Sequence, residues 1–347
     1  MHAVRLHEFG PAENLTYEEV PDPVAASGQV RIEVEAAGVH LMDTVLRAGS
    51  AGGDPVPPPE LPTIPGREVA GRVDAVGPGV AKSWIGKRVV VHLGPVPGGY
   101  AELAVAKVTS VHEIPDHLDS ATAVATIGTG RTAMGILEQA ALTADDVVLI
   151  TSAAGGMGSL FVQAARNSGA LVVGLAGGVE KVRRVQELGA QVAVDYTAGG
   201  WGEQVATQLR GWGDQVATQP GGWGEQVATQ LGGRELTVVL DGVGGAVGQQ
   251  AFELLGIGGR LLMFGWSGGG PIQLTTEDLM ARGLSATWAI GPKLMRKLRT
   301  LETAALNESI EGHWTPLLTK YPLAKAADAH RALENRETVG KVVLIPA

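Results

Sequence analysis

The sequence predicts an α/β protein in which a small β-rich domain is interrupted by an inserted domain built on a doubly wound parallel sheet. Three observations predict it. Residues 147–175 read VVLIT, SAAGGMGSLFVQAARNSGA and LVVGL: an apolar run of strand length, a glycine-dense turn opening a segment of helical periodicity, and a second apolar run. That is a βαβ crossover with its glycines at the first turn. Four more apolar runs, at 191–194, 236–240, 260–264 and 284–288, bring the strands to six, the count of a full dinucleotide-binding sheet. The sequence given closes on KVVLIP, a strand with no partner nearby in sequence, so this segment is expected to return to the first domain. The expected layout is a β-rich domain at 1–121, completed by 288–347, around a nucleotide-binding domain at 122–287, with the site in the cleft between them.

In chain order, the first domain shows short strands separated by turn residues: AVRLHEF, VRIEVEAAGV, VAGRVDAVG, KRVVVHLG and YAELAVA. Alternation at 31–34 and 72–76 marks half-buried strands, and the proline-rich excursion at 54–65 cannot be a central strand and reads as a loop. Residues 118–142 read as a helix leading into the βαβ unit, 292–313 as a helix with a basic start, and 324–333 as another. Residues 200–232 carry three near-identical copies of GWGEQVATQLR at an 11-residue period, with Trp201, Trp212 and Trp223 in register. Such copies are too few and too short for a solenoid, and Pro220 with the repeated glycines argues against one continuous helix. Short helical turns are expected around Val205 and Val227, with the middle copy looped out.

Composition narrows the function classes. A net charge of −9 argues against nucleic acid or an anionic membrane as partner. The absence of cysteine excludes disulfides, cysteine-ligated zinc and thiolate catalysis together. No window reaches the length of a membrane span, and a soluble cytoplasmic protein is expected.

The glycine turn carries the clearest chemistry. Ala153, Gly155 and Gly158 hold the spacing of the G-x-G-x-x-G fingerprint, with alanine for the first glycine. A small residue suits the tight turn, Gly155 lets backbone N–H groups approach a pyrophosphate, and Gly158 lets the helix pack closely on the strand. The helix then presents its positive end to the phosphates. The bland alternative is a glycine-rich turn in an α/β core. NAD sites place a carboxylate about 20 residues beyond the glycines. Here that position is Ala176, followed by Gly177 and Gly178, with Lys181, Arg183 and Arg184 beyond, so the pocket is expected to favour NADPH. Arg183 and Arg184 also fit the solvated face of a surface helix.

The segments HEFGPAENLTYEEVPDP, AAGVHLMDTVLRAG, PGREVAGRVDAVGPGV, GKRVVV, SAAGGMG, DGVGG, LLMFGWSGG and NRETVGKVVLIP, in that order, resemble the zinc-independent medium-chain dehydrogenase/reductases, and among them the NADPH-dependent quinone oxidoreductases. The resemblance covers the chain except the repeat. It implies a GroES-like β-rich catalytic domain with an inserted Rossmann-type domain, and a homodimer in which strands at 284–288 pair edge to edge.

Residue by residue, the resemblance implies a metal-free site. Zinc alcohol dehydrogenases of the superfamily bind their catalytic metal through a Cys, a His followed by Glu, and a second Cys. Here His40 stands at the first Cys, Arg67 replaces the His before Glu68, and 128–130 offers no substitute for the other Cys. A guanidinium, always protonated, cannot ligate zinc. Quinone reductases usually carry Asn at His40, beside the nicotinamide. His40 is therefore expected either to hydrogen-bond or protonate a substrate carbonyl, or only to shape the pocket as a neutral histidine. Asp43 matches a family Asp that orients its neighbours, and Glu68 is expected to pair with a cation, with Arg47 as a possible partner. For the cofactor, Lys181, Tyr196 and Arg336 match residues around the 2′-phosphate, Thr132 a threonine near the nicotinamide or its phosphates, Gly156 and Met157 the pyrophosphate turn, and Phe264, Gly265 and Trp266 the loop lining the nicotinamide. The activity implied is hydride transfer from NADPH to a quinone or related conjugated carbonyl. The alternatives are an enoyl or alkenal double-bond reductase and, from another class, a non-catalytic NADPH-binding redox sensor.

Overall fold

A computed structural model describes residues 1–49, 58–94, 97–200, 202–205 and 234–347. The chain divides into two compact units, one of Met1–Arg131 with Arg299–Ala347, the other of Thr132–Leu298.

The first unit opens with β1 (His2–Leu6) and β2 (Leu15–Glu19), an antiparallel pair. There follow β3 (Gln29–Val39), α1 (Leu41–Ala48), β4 (Glu68–Val76), β5 (Arg88–His92), β6 (Leu103–Lys107), β7 (His112–Glu113) and the long helix α2 (Ser120–Ala140), within which the unit ends. In β3, Val30, Ile32 and Val34 are buried while Glu33 is exposed and Arg31 and Glu35 are half-buried, the period-2 pattern of a strand with one face on a core. That face packs with Val69, Val73, Val89 and Val91 of β4 and β5 and with Tyr100. Ala36, Ala70 and Val90 pack instead with Ile114, Leu118, Val124 and Ile127.

The second unit holds β8 (Val147–Ile150), α3 (Gly156–Asn167), β9 (Leu171–Ala176), α4 (Val179–Glu187), β10 (Val192–Asp195), β11 (Leu236–Asp241), α5 (Gly245–Glu253), β12 (Leu255–Met263), α6 (Thr276–Arg282), β13 (Ser285–Trp288) and α7 (Pro292–Met295). Its six strands are parallel, in the order β10-β9-β8-β11-β12-β13. The chain runs outward from β8 through β10, then resumes on the other side of β8 at β11, so the topological switch lies between β8 and β11. Every residue of β8 and β9 is buried, as expected for strands covered on both faces. Gly174 in β9 admits α4: a Cβ there would lie 2.3 Å from Val185 Cγ1. β13 is the far edge and is largely exposed.

The chain re-enters the first unit with α8 (Leu298–Ile310), β14 (Leu318–Pro322), α9 (Ala326–Glu334) and β15 (Lys341–Ile345). β15 pairs antiparallel with β3 and parallel with β14, so the larger sheet runs β14-β15-β3-β4-β5-β7, with β6 also on β3. Leu306 of α8 joins the cluster around Val124 and Ile127.

One sequence reading needs adjustment. The helix expected over 292–313 is two, α7 and α8, because Lys297 N–H donates to Leu294 O at 2.9 Å and this tighter turn interrupts the α-helical ladder. Within the repeat, residues 202–205 are helical and Val205 is buried with the second unit's core; Val227, Trp201, Trp212, Trp223 and the looped middle copy lie outside the described residues.

Candidate active site

In the first unit the site forms where β3 ends, between β15 and β4. His40 links β3 to α1 and caps the helix, its N–H donating to Asp43 Oδ2 at 2.8 Å. Glu68 opens β4 and Lys341 opens β15. The two long side chains meet because β3, the strand between them, carries Gly38: a Cβ there would lie 2.4 Å from Glu68 Oε2 and 3.1 Å from Lys341 Cε. On the other side Gly128 of α2 leaves room for the same carboxylate, since its Cβ would lie 1.6 Å from Glu68 Oε1.

Three groups converge in that space. His40 Nε2 is 2.7 Å from Glu68 Oε1, Lys341 Nζ is 2.8 Å from Glu68 Oε2, and Lys341 Nζ is 2.9 Å from His40 Nε2. Glu68 is fully buried and the Lys341 side chain is 4% exposed, whereas that of His40 is 25% exposed and is the member within reach of a ligand. Burial alone would raise the Glu68 carboxyl; the positive charge that the cluster places beside it outweighs burial and holds the group well below the usual carboxylate range. His92, at the end of β5, is pushed down to about 4 by burial against the pull of Glu68, and its Nδ1 accepts from the Gly94 N–H at 3.0 Å. It stands as a neutral ring beside the carboxylate.

A second network supports Asp43. Tyr100 O–H donates to Asp43 Oδ2 at 3.2 Å, and His330 Nε2 of α9 lies 3.0 Å from the same phenol oxygen. Arg67 Nη2 is 3.6 Å from Asp43 Oδ1. Burial, with the nearby Asp43 charge, raises the Tyr100 phenol well above its ordinary value. Asp43 thus accepts from both the His40 N–H and the Tyr100 O–H. His330 is fully buried, its Nδ1 has no hydrogen-bond partner, and burial pushes its pKa to about 4. An imidazole kept neutral by burial stabilises the fold fully above its unfolded value near 6.5, and that contribution is lost as pH falls toward about 4. Between pH 7 and pH 4.5 denaturant titrations should show His330→Gln losing less stability than the parent by on the order of 2 kcal/mol. Parallel pH slopes in the two proteins would remove His330 from this account.

Arg47, expected as a possible partner for Glu68, pairs with Glu334 at the end of α9. It sits seven residues along α1 from His40, about 10 Å of helix. The cation on Glu68 is Lys341, a residue the sequence shows only as the charged first position of KVVLIP.

In the second unit the glycine turn joins β8 to α3. Ala153 is buried and its N–H donates to Leu175 O at 2.8 Å, tying the turn to β9. Gly155 is the N-cap of α3, and no side chain caps it, so the first-turn N–H groups of Gly156 and Met157 keep the arrangement that suits an anion. Gly158 sits against the turn itself, with a Cβ position 2.2 Å from Ser152 O. Thr151 and Asp241 close the switch point: Thr151 Oγ1 donates to Asp241 Oδ1 at 2.8 Å, and Asp241 accepts from the Val243 and Gly244 N–H groups, shaping the DGVGG loop. Phe264, Gly265 and Trp266 follow β12 and pack on that loop; a Cβ on Gly242 would lie 2.4 Å from the Phe264 ring. Trp266 is exposed and its ring centroid lies 4.9 Å from that of Trp288.

Around Ala176, Tyr196 lies over Gly177, its hydroxyl 3.2 Å from where a Cβ would be, and Lys181 is partly buried on the first turn of α4. Arg183 and Arg184 pair with Glu180 and Glu187 on the exposed face of α4, the surface alternative. Sequence reasoning missed Asp195 at the end of β10, whose Oδ1 accepts from Gly178 N–H at 2.9 Å and from Thr197 N–H and Oγ1. Its signal was the Asp-Tyr-Thr run closing a strand. Thr132 lies on α2 in this unit; Arg336 lies in the first, exposed after α9 in a left-handed conformation with φ 58°.

The cradle of small residues at an uncapped helix N-terminus fits the diphosphate of a dinucleotide. A cysteine- and histidine-ligated zinc does not fit: Lys341's ammonium contacts both His40 and Glu68, Arg67 brings a second cation, and the Gly128 position has no space for a ligand side chain. Among the described residues no three His, Cys, Asp or Glu gather as a metal would require.

A β-rich unit and a six-stranded parallel dinucleotide-type sheet in one chain, with a glycine turn at the sheet's switch point, define a two-domain dehydrogenase or reductase. Family models agree: "Alcohol dehydrogenase GroES-like domain" matches residues 26–116 and "Zinc-binding dehydrogenase" residues 156–304. A quinone oxidoreductase from Sus scrofa is 30% identical, the match covering 99% of this chain and 98% of that one. A 2-haloacrylate reductase from a Burkholderia species is 30% identical over the same shares. The solved Escherichia coli quinone oxidoreductase, complexed with NADPH, is 26% identical with a TM-score of 0.78, all of both chains being covered. The chain belongs to the medium-chain dehydrogenase/reductase family, among its quinone oxidoreductase-like members.

Proposed function

We propose that this protein is an NADPH-dependent reductase that transfers hydride to a quinone or related conjugated carbonyl without zinc. The observation carrying this reading is the Lys341 ammonium seated between Glu68 and His40, a buried cation of the protein's own beside the residue that stands at a metal-ligand position of the zinc enzymes. Acceptors that take hydride without Lewis-acid polarisation suit such a site, and quinones are of that kind. NADPH, when bound, supplies the hydride. Ala153, Gly155, Gly156, Met157 and Gly158 hold the diphosphate; Lys181, Tyr196 and Arg336 serve the 2′-phosphate; Thr132, Phe264, Gly265 and Trp266 line the nicotinamide. His40 holds the acceptor oxygen by a hydrogen bond, and Asp43 fixes His40. Catalysis rests on positioning in a water-poor site.

The 2-haloacrylate reductase relative supports a second reading, reduction of an activated carbon–carbon double bond. Homodimer assembly through β13 belongs to the same proposal, since its edge is exposed and carries Trp288.

The test is titration with NADPH and NADH, then oxidation of the preferred cofactor against quinones, enals and 2-haloacrylate, with sedimentation velocity on the same preparation. Expected are a dimer at micromolar concentration, an NADPH preference that drops about tenfold or more in Lys181→Ala, and turnover on quinones. An NADH preference would assign Asp195 the discriminating role, turnover on haloacrylate alone selects the second reading, and binding without turnover on any acceptor leaves a redox sensor.

A further inference from the structure

We infer that Lys341 is a positioning residue for His40, donating to its Nε2 and leaving the ring proton on Nδ1, the nitrogen that then serves the acceptor. Nε2 has one in-plane site, and two neighbours compete for it. An ammonium only donates and an ionised carboxylate only accepts, so Nε2 either accepts from Lys341 or donates to Glu68. The Lys341 contact, 2.9 Å, has hydrogen-bond geometry, whereas Glu68 Oε1, although nearer to Nε2 at 2.7 Å, and Glu68 Oε2 lie close to their partners without alignment as hydrogen bonds. The arrangement therefore commits Nε2 to Lys341, with Glu68 serving to hold the ammonium by charge.

The other charged or titratable groups facing the cluster agree. His92 is neutral, and Arg67 and Arg131 add positive charge to its surroundings. The mechanical link runs across the sheet: β15 pairs with β3 through Val343 and Gly38, so the first residue of β15 is registered against the strand whose end carries His40. Lys341 thus sets which nitrogen of His40 bears a proton, and Asp43 sets where its backbone sits.

The inference rests on the proposed function only in assigning Nδ1–H to the acceptor; the tautomer itself is read without turnover. Histidine labelled with ¹⁵N, with the His40 resonances assigned by their loss in His40→Asn, reports each ring nitrogen. Near neutral pH, Nε2 should be of the unprotonated type and Nδ1 of the protonated type, and Lys341→Met should move His40 toward the opposite tautomer, with Nε2–H donating to Glu68. In the kinetic arm, Lys341→Met should lower kcat on the active acceptor about tenfold or more while the KM for NADPH holds. A protonated Nε2 in the parent protein overturns the inference, and so do His40 resonances unchanged in Lys341→Met. Should that variant fail to fold, the measurement on the parent decides alone. A protein that turns over no acceptor yet shows this tautomer loses the proposed function and keeps the inference.

Discussion

Glu68→Ala should lower the stability of the protein by about 3–5 kcal/mol, read from denaturant midpoints at neutral pH. The carboxylate is fully buried and sits 2.8 Å from an ammonium that is itself only 4% exposed. Removing it leaves Lys341 charged in a buried, low-dielectric space with its carboxylate partner gone. The size of the effect measures the unpaired cation more than the worth of the ion pair, and the double variant separates the two. Lys341→Met in the Glu68→Ala background should recover part of the loss, giving a coupling of 1 kcal/mol or more on the order of that seen for groups sharing a network. A single variant within about 1 kcal/mol of the parent, or two losses that simply add, would mean that Lys341 escapes to solvent and that the buried pair described above does not hold the site.

How much of this was legible beforehand depended on distance along the chain. The second unit's strands announce themselves because a parallel sheet covered on both faces needs uninterrupted apolar runs, and 147–150 and 171–176 are such runs. The glycine turn was equally readable, since the residues it joins are neighbours in sequence and each glycine answers a local steric demand. The site in the first unit resisted for the opposite reason. His40, Asp43 and Glu68 could be placed by resemblance, but the partner of Glu68 arrives on the C-terminal strand, and only the pairing of β15 with β3 brings it there. From the sequence, Arg47 was the nearby cation; the direction of α1 takes it to Glu334 instead. Tyr100 and His330 lie in segments that read as ordinary strand and helix, and nothing local signals that their polar atoms meet at Asp43. Asp195 shows the same limit in the second unit. The rule for a carboxylate after the second strand directed attention to Ala176, while the carboxylate that reaches the Gly178 N–H comes from the end of the next strand.

Gly158→Val should produce the largest loss of cofactor binding, about 10- to 100-fold in the dissociation constant for the preferred nicotinamide cofactor, equivalent to roughly 1.4–2.8 kcal/mol. A Cβ on Gly158 would lie 2.2 Å from Ser152 O and 2.7 Å from Ala153 Cα, and both are backbone atoms of a turn already holding Ser152 at φ 51°. No side-chain rotation relieves that contact, so either α3 retreats from β8 or the turn changes shape, at a cost of about 1–3 kcal/mol for an overpacked site. Each route displaces the N–H groups of Gly156 and Met157 from the geometry that receives a phosphate. Gly155→Ala is the comparison that makes the result interpretable. Its Cβ would meet Ser152 O and Oγ at 3.1 Å, a contact that a shift of a few tenths of an ångström relieves, and its φ of −80° suits any residue. Gly155→Ala should therefore keep the parent's thermal stability within a few degrees while Gly158→Val does not. Equal affinities for Gly158→Val and the parent, by fluorescence titration, would separate the glycine turn from the cofactor and return it to the role of a packing element in the sheet.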